Sequence, residues 1–289
     1  MGKVTLLDGA TGTQLWAKAE ENGFKKDPVW KYNIEHPEIV LEVEKAYVAA
    51  GSQIITTNTF SVNGPALKKS SSYGVSEVVG AAMKIAKEAV SGTDTKVALD
   101  VGPLMEFMEP YGDLEEDEVR EIYREICEAA FTAGAGSPDV IILETFIDLG
   151  MLAVAAEEAV KFGVPVMCSM SFEKIGKTIM GNSVQDMIDS LTPLGVAAVG
   201  ANCSLGPAML LPVIREFSEK TSLPVFFKPN AGLPVVGADG KETSVFDADA
   251  FVKEIAPALS LVSFAGACCG SSPEYIRKLK EVISVEKNS

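Results

Sequence analysis

The chain carries one histidine in 289 residues, and 25 Lys and Arg against 40 Asp and Glu. The histidine, His36, stands in Glu35-His36-Pro37-Glu38 just ahead of a helical stretch. That is the setting of a surface or helix-start residue rather than a ligand or base, and it argues against a serine-type triad. A net charge of −15 argues against nucleic acid and anionic membrane surfaces, because both require clustered Lys and Arg. No apolar run approaches the roughly 20 residues of a membrane span. Met1-Gly2-Lys3-Val4 leads straight into an apolar run, without the layout of a signal peptide. The cysteines number only five, an odd count that does not suit a disulfide framework, so the expected setting is a reducing cytoplasm. The Gly9-Ala10-Thr11-Gly12 turn lacks the Gly-Lys-[Ser/Thr] ending of a phosphate loop, and no Gly-x-Gly-x-x-Gly fingerprint occurs.

What is present is a rhythm of short apolar runs. They are Val4–Leu7, Ile54–Thr57, Val97–Leu99, Val140–Leu143, Val166–Met170, Val196–Gly200, Val225–Phe227 and Leu261–Ala265. Rich in β-branched residues and lacking polar alternation, they read as parallel strands covered on both faces. Amphipathic segments lie between them. In Glu115–Gly134, Val119, Ile122, Tyr123, Ile126, Cys127 and Ala130 keep the i, i+3, i+4 spacing of a helix stripe. Asp113 or Asp117 is expected to cap its start and Gly134 to mark its end. Eight strand–helix units predict an α/β fold, a single (β/α)8 (TIM) barrel, more readily than an open doubly wound sheet. No linker or composition break divides residues 1–289, which read as one domain.

The residues that follow each run are the informative ones. They are Asp8-Gly9, Asn58, Asp100, Glu144, Ser171, Asn202-Cys203, Asn230 and Cys268-Cys269. Polar and metal-binding types thus gather at C-terminal strand ends, where barrel enzymes build their sites. The opposite ends carry plain turn material, such as Gly163-Val164-Pro165.

Cys203, Cys268 and Cys269 fall at two such strand ends, flanked by glycines. Three thiolates meeting at one point suit zinc, with a fourth position open for chemistry. The competing readings are buried apolar cysteines and a strained vicinal disulfide between Cys268 and Cys269. Cys127, on a helix stripe, and Cys168, in mid-strand, read as core. Glu144 suits the anchoring of a substrate ammonium or a structural ion pair at the rim, and Asp8 has the same ambiguity. The Gly9–Gly12 turn opens a helix whose N–H groups suit a carboxylate.

Together, Leu7-Asp8-Gly9-Ala10-Thr11-Gly12-Thr13, Ile55–Phe60, Leu143-Glu144-Thr145-Phe146, Gly200-Ala201-Asn202-Cys203, Pro229-Asn230-Ala231-Gly232 and Gly266-Ala267-Cys268-Cys269-Gly270 resemble the homocysteine S-methyltransferase family. The nearest likeness is to the homocysteine-binding barrel of cobalamin-dependent methionine synthases. The resemblance covers almost the whole chain and follows family order. It implies zinc on Cys203, Cys268 and Cys269, and Glu144 near the homocysteine amine. Asp8, Gly9, Asn58 and Asn230 are expected to line the same pocket, with no catalytic residue beyond the zinc site. The implied reaction passes a methyl group to the homocysteine thiol and gives methionine.

Ala267 departs from the family's usual glycine, a change that matters if φ is positive there. The Asp-x-His-x-x-Gly signature of a corrinoid domain is absent; the chain resembles the first module only. The expected donor is therefore methylcobalamin supplied by a separate corrinoid protein, with S-methylmethionine, S-adenosylmethionine or betaine as alternatives. A different thiol acceptor, reverse transfer to a corrinoid partner and a non-catalytic barrel with structural zinc also stay open.

Overall fold

The computed structural model describes residues 4–232, 234–236, 242–244 and 247–286. Eight parallel strands form one sheet: β1 (Thr5–Leu6), β2 (Ile54–Thr56), β3 (Lys96–Val101), β4 (Val140–Phe146), β5 (Val166–Met170), β6 (Ala198–Cys203), β7 (Val225–Pro229) and β8 (Phe264–Ala265). Each run predicted from the sequence overlaps its strand, and β3, β4, β6 and β7 extend beyond the predicted bounds. The spatial order runs β2 to β7 in sequence, then β8, then β1. The sheet is a (β/α)8 barrel whose last seam, between β1 and β2, is closed largely by side chains. The Gln53 N–H donates to the Leu6 carbonyl at 2.7 Å, and the Leu6 N–H donates to Gln53 Oε1 at 3.0 Å. One turn higher, Asp8 Oδ2 accepts the Thr56 N–H at 2.6 Å and the Thr56 hydroxyl at 2.8 Å.

Period-two alternation sorts the strand residues into two cores. Leu7, Ile54, Ala98, Val140, Ile142, Met167, Ala198 and Phe226 point inward and plug the barrel. Outward residues such as Leu99, Ile141, Cys168 and Val199 pack beneath the helices. Each large apolar side chain so buried contributes roughly 1.5–3 kcal/mol.

The helix predicted within Glu115–Gly134 spans Glu116–Thr132 and buries Val119, Tyr123, Ile126, Cys127 and Ala130. Its cap is neither Asp113 nor Asp117. Glu115 takes that place in a reciprocal capping box with Glu118, because only this spacing puts a carboxylate at the third helical N–H. Gly134, at φ 70°, follows the helix in the left-handed conformation. His36 is the N-cap residue of the Pro37–Ala50 helix, and its ring stacks on Phe24 at 3.7 Å. No helix among the described residues is long and apolar enough to cross a membrane.

Candidate active site

Above the apolar plug, the next inward residue on several strands is polar. Ile54 is followed two positions on by Thr56, Ala98 by Asp100, Ile142 by Glu144, Met167 by Ser169 and Phe226 by Lys228; all five polar residues are buried. Lys228, unremarked in the sequence reading, sits at the centre of this layer. Its Nζ lies 3.1 Å from Asp8 Oδ1 and 3.2 Å from Glu144 Oε2. Burial opposes a charged lysine, yet Asp8 and Glu144 outweigh it and hold the ammonium well above the usual lysine range. The period-two alternation Phe226, Lys228 was the available signal.

A bulge in β4 aims Glu144. The β4–β5 register shifts between Leu143 and Phe146, and Thr145 adopts φ 68°. Bulges of this kind re-aim side chains beside sites. The left-handed Thr145 is held by Asn202, whose Oδ1 accepts its N–H at 2.8 Å and whose Nδ2 donates to its hydroxyl at 2.7 Å. Asn202 Oδ1 also accepts the Ser169 hydroxyl at 2.7 Å.

The three rim cysteines meet. Cys203 ends β6, while Cys268 and Cys269 lie in the loop after β8, and their sulfurs all fall within 4.8 Å of one another. All five cysteines are free thiols, so the vicinal disulfide is not formed. Cys127 and Cys168 are buried elsewhere in the core. The Cys203 and Cys269 sulfurs are 3.8 Å apart. Two corners of a tetrahedron with Zn–S bonds of about 2.3 Å are separated by about 3.8 Å, so the donor set fits zinc in both chemistry and spacing.

The backbone fixes these sulfurs. Cys203 and Ser204 take consecutive positive φ values of 58° and 54°, strain of a kind that gathers at functional sites. The Cys268 N–H donates to the Pro229 carbonyl at 2.8 Å, and the Cys269 carbonyl accepts the Ala231 N–H at 2.9 Å. The thiols crowd one another electrostatically. At Cys268 the neighbouring Cys203 sulfur and burial push the thiol well above its ordinary range. Cys203 is pushed up to about 12, the lowering contact with Cys268 being outweighed by Cys269 and burial. Three sulfurs this close resist ionising together unless a cation joins them.

Glycines permit the closeness. A Cβ on Gly266 would come 2.6 Å from the Asp8 carbonyl, and one on Gly9 would come 2.7 Å from Ser271 Oγ. Ala267 is fully buried in the core and is not among the residues with positive φ, so its extra methyl is accommodated without strain. Ser271 Oγ accepts the Ala10 N–H at 3.0 Å, so one N–H of the turn expected to bind an anion already has a partner.

The predicted site residues do not all converge. Asp8 and Glu144 share Lys228, and Gly9 adjoins them. Asn230 is buried two residues beyond Lys228, with its Oδ1 unpartnered. Asn58 is committed elsewhere: its Nδ2 donates to the Val29 carbonyl at 2.8 Å and to Asn33 Oδ1 at 2.9 Å. It pins the segment ahead of the Pro37–Ala50 helix. A cavity of about 430 Å³ lined by Val4, Gln53, Thr93 and Lys280 lies at the N-terminal strand ends, away from the cysteines.

A parallel barrel that gathers a soft-metal donor set and a buried ionic cluster at its C-terminal mouth is organised as an enzyme. The sequence profile of the homocysteine S-methyltransferase family matches residues 5–283, and the chain belongs to that family. Methionine synthase of Mycobacterium tuberculosis (strain ATCC 25618 / H37Rv) is 30% identical over 304 residues, covering 98% of this chain and 25% of its own length. Methionine synthase of Mycobacterium leprae (strain TN) is 28% identical over 302 residues, covering 98% and 24%. The chain thus spans about a quarter of the length of these curated relatives. The crystal structure of the homocysteine methyltransferase MmuM from Escherichia coli, in its metallated form, superposes with a TM-score of 0.77 at 23% identity, over 96% of each chain. That likeness concerns the fold.

Proposed function

We propose that this chain transfers a methyl group to the thiol of homocysteine, giving methionine, with zinc held by Cys203, Cys268 and Cys269. The observation that carries the reading is the convergence of three sulfurs within 4.8 Å beside a buried ionic cluster, in a chain of this family. A free alkyl thiol, with a pKa near ~8.5, is only a few per cent ionised at neutral pH. Zinc, when bound, supplies the Lewis acidity that keeps such a sulfur as thiolate.

The chain's own contribution is placement. Glu144 faces the amino end of the substrate, while Asp8, Gly9 and Asn230 shape the pocket beside it. The substrate sulfur forms its bond to the methyl carbon as the bond from that carbon to the donor breaks. The thiol proton passes to solvent beforehand, and the bonding pair leaves with the donor.

The donor in this reading is methylcobalamin carried on a separate corrinoid protein. The methionine synthase relatives support it, as do large apolar side chains exposed on loops after β2, β3 and β5: Phe60, Met105, Phe107, Tyr111, Ile175 and Ile179. Residues 1–289 act as one barrel unit in a reducing cytoplasm, where the five thiols stay free. The test is to incubate zinc-loaded protein with homocysteine and a panel of methyl donors, with and without methylcobalamin. Methionine formation is expected with methylcobalamin; none from any donor overturns the reading.

A further inference from the structure

The inward polar layer holds one carboxylate more than it pairs. Lys228 serves Asp8 and Glu144, and the second Asp8 oxygen already accepts two hydrogen bonds from Thr56. Asp100 feels the Lys228 charge but makes no direct contact with it. It lies on β3 two residues beyond inward-facing Ala98, is buried, and forms no ion pair among the described residues; its Oδ1 finds no hydrogen-bond donor. Its backbone is locked, because the Asp100 N–H donates to Thr57 Oγ1 at 3.1 Å and its carbonyl accepts the Thr59 hydroxyl at 2.6 Å. The carboxyl group therefore has a fixed station in the layer.

A buried acceptor left unpaired is costly, and a second one, Asn230 Oδ1, lies two residues beyond Lys228, just past the end of β7. Both are acceptors, so the matching ligand group is a donor. Burial, and then the charge of Glu144, push the Asp100 carboxyl well above the ordinary carboxylate range. An arriving cation offsets both causes, so Asp100 ionises as the ligand binds. Two neighbouring carboxylates and an orphaned amide oxygen then match a primary ammonium, which brings three N–H donors and one positive charge. A phosphate, a second carboxylate or an alkyl chain brings neither.

We propose that Asp100 is a substrate-binding residue that shares the α-ammonium of an amino-acid thiol with Glu144, and that it sets the preference for amino-acid thiols over simple thiols. The assignment rests on the homocysteine reading above. Lys228, paired with Asp8 and Glu144, is then a positioning residue that fixes both.

The test compares zinc-loaded wild type and Asp100→Asn by calorimetric binding of homocysteine and of 4-mercaptobutanoate, which keeps the thiol and carboxylate but lacks the amine. Asp100→Asn is expected to weaken homocysteine binding about 10- to 100-fold, the range for a lost charge-assisted contact, and to change 4-mercaptobutanoate binding less than about 2-fold. Equal loss for both ligands, or no loss for either, overturns the proposal. Asp100→Glu supplies a check should Asp100→Asn fold poorly: restored charge is expected to retain a preference for homocysteine, and its loss counts against the assignment. Wild-type protein that binds neither thiol overturns the homocysteine reading itself, whereas tight wild-type binding with unaltered selectivity in Asp100→Asn overturns only the role of Asp100.

Discussion

Asn202 holds Thr145 in a left-handed conformation by two hydrogen bonds, from the Thr145 N–H at 2.8 Å and to its hydroxyl at 2.7 Å. The same amide nitrogen lies 4.0 Å from the Cys268 sulfur. One side chain on β6 thus ties the bulge that aims Glu144 to the cysteine cluster. Asn202→Ala removes both bonds, together with the one from the Ser169 hydroxyl, and leaves Thr145 strained, at a cost of about 2–4 kcal/mol. Denaturant unfolding reads this directly, and an unchanged midpoint and slope would refute it. Thr145→Gly in the Asn202→Ala background is expected to recover part of the loss, since glycine tolerates positive φ.

The metal prediction separates the five cysteines. Cys203→Ala, Cys268→Ala and Cys269→Ala should each abolish tight zinc binding, while Cys127→Ala and Cys168→Ala should keep one zinc per chain. Full zinc content in Cys268→Ala ends the hypothesis. Because the barrel plug contains no cysteine ligand, chelator-treated protein is expected to keep its far-ultraviolet circular dichroism and cooperative unfolding while losing activity. Collapse of the fold on metal removal would instead assign the zinc a structural role.

Glu144→Gln keeps the shape of the side chain and removes its charge. Homocysteine binding should fall about 10- to 100-fold, as for a lost charge-assisted pair, with zinc content near normal. An alkyl thiol without an amine should be much less affected. Parallel losses for the two thiols would mean that Glu144 serves mainly as the structural partner of Lys228.

Glu44 predicts an effect of pH on stability. It is buried on the Pro37–Ala50 helix, and neither of its oxygens meets a hydrogen-bond partner. Burial first, and then the charge of Asp8, push its carboxyl well above the usual range. The folded state therefore keeps a proton that the unfolded chain gives up above its ordinary pKa. Stability falls as pH rises through that window, by up to about 1.4 kcal/mol per pH unit. Glu44→Gln should remove this dependence, so its stability advantage should widen between pH 5 and pH 8. A difference that stays constant across that range would show Glu44 to be ionised in the fold.

Much of the barrel was legible because parallel strands buried on both faces read as apolar runs, and each of the eight runs overlaps a strand. Their C-terminal ends were less legible. β4 continues through Glu144 to Phe146 and β6 reaches Cys203, because inward polar residues keep the backbone ladder while breaking the apolar pattern. Lys228 was missed for the same reason: a lysine after Val225–Phe227 looks like a strand end until its inward alternation with Phe226 is counted. The cysteine trio was readable from position and neighbours. The engagement of Asn58 was not, since its partners Val29 and Asn33 come from a segment with no strand or helix-stripe pattern to place it.

The methyl donor is decided by what reaches the mouth of the barrel. A corrinoid on another protein needs an open face, and the exposed Phe60, Phe107, Tyr111 and Met105 offer apolar surface on the loops beyond the strands. An onium donor needs an aromatic cradle beside the sulfurs. Trp30, on the segment ahead of the Pro37–Ala50 helix, is buried at 3% exposure and packs edge-on against Tyr73, which removes it from that role. Phe60, Phe107 and Tyr111 remain. Single-turnover assays on zinc-loaded protein with homocysteine separate the two donor classes. Methylcobalamin is expected to yield methionine, and S-methylmethionine, S-adenosylmethionine and betaine are expected to yield none. Replacing Phe107 and Tyr111 by serine should then slow turnover with a corrinoid protein while leaving turnover with free methylcobalamin within about 2-fold, because a lost docking contact changes partner association rather than the methyl-transfer step. Robust turnover with an onium donor and none with methylcobalamin would sink the corrinoid proposal and reassign the three exposed rings to binding the donor cation.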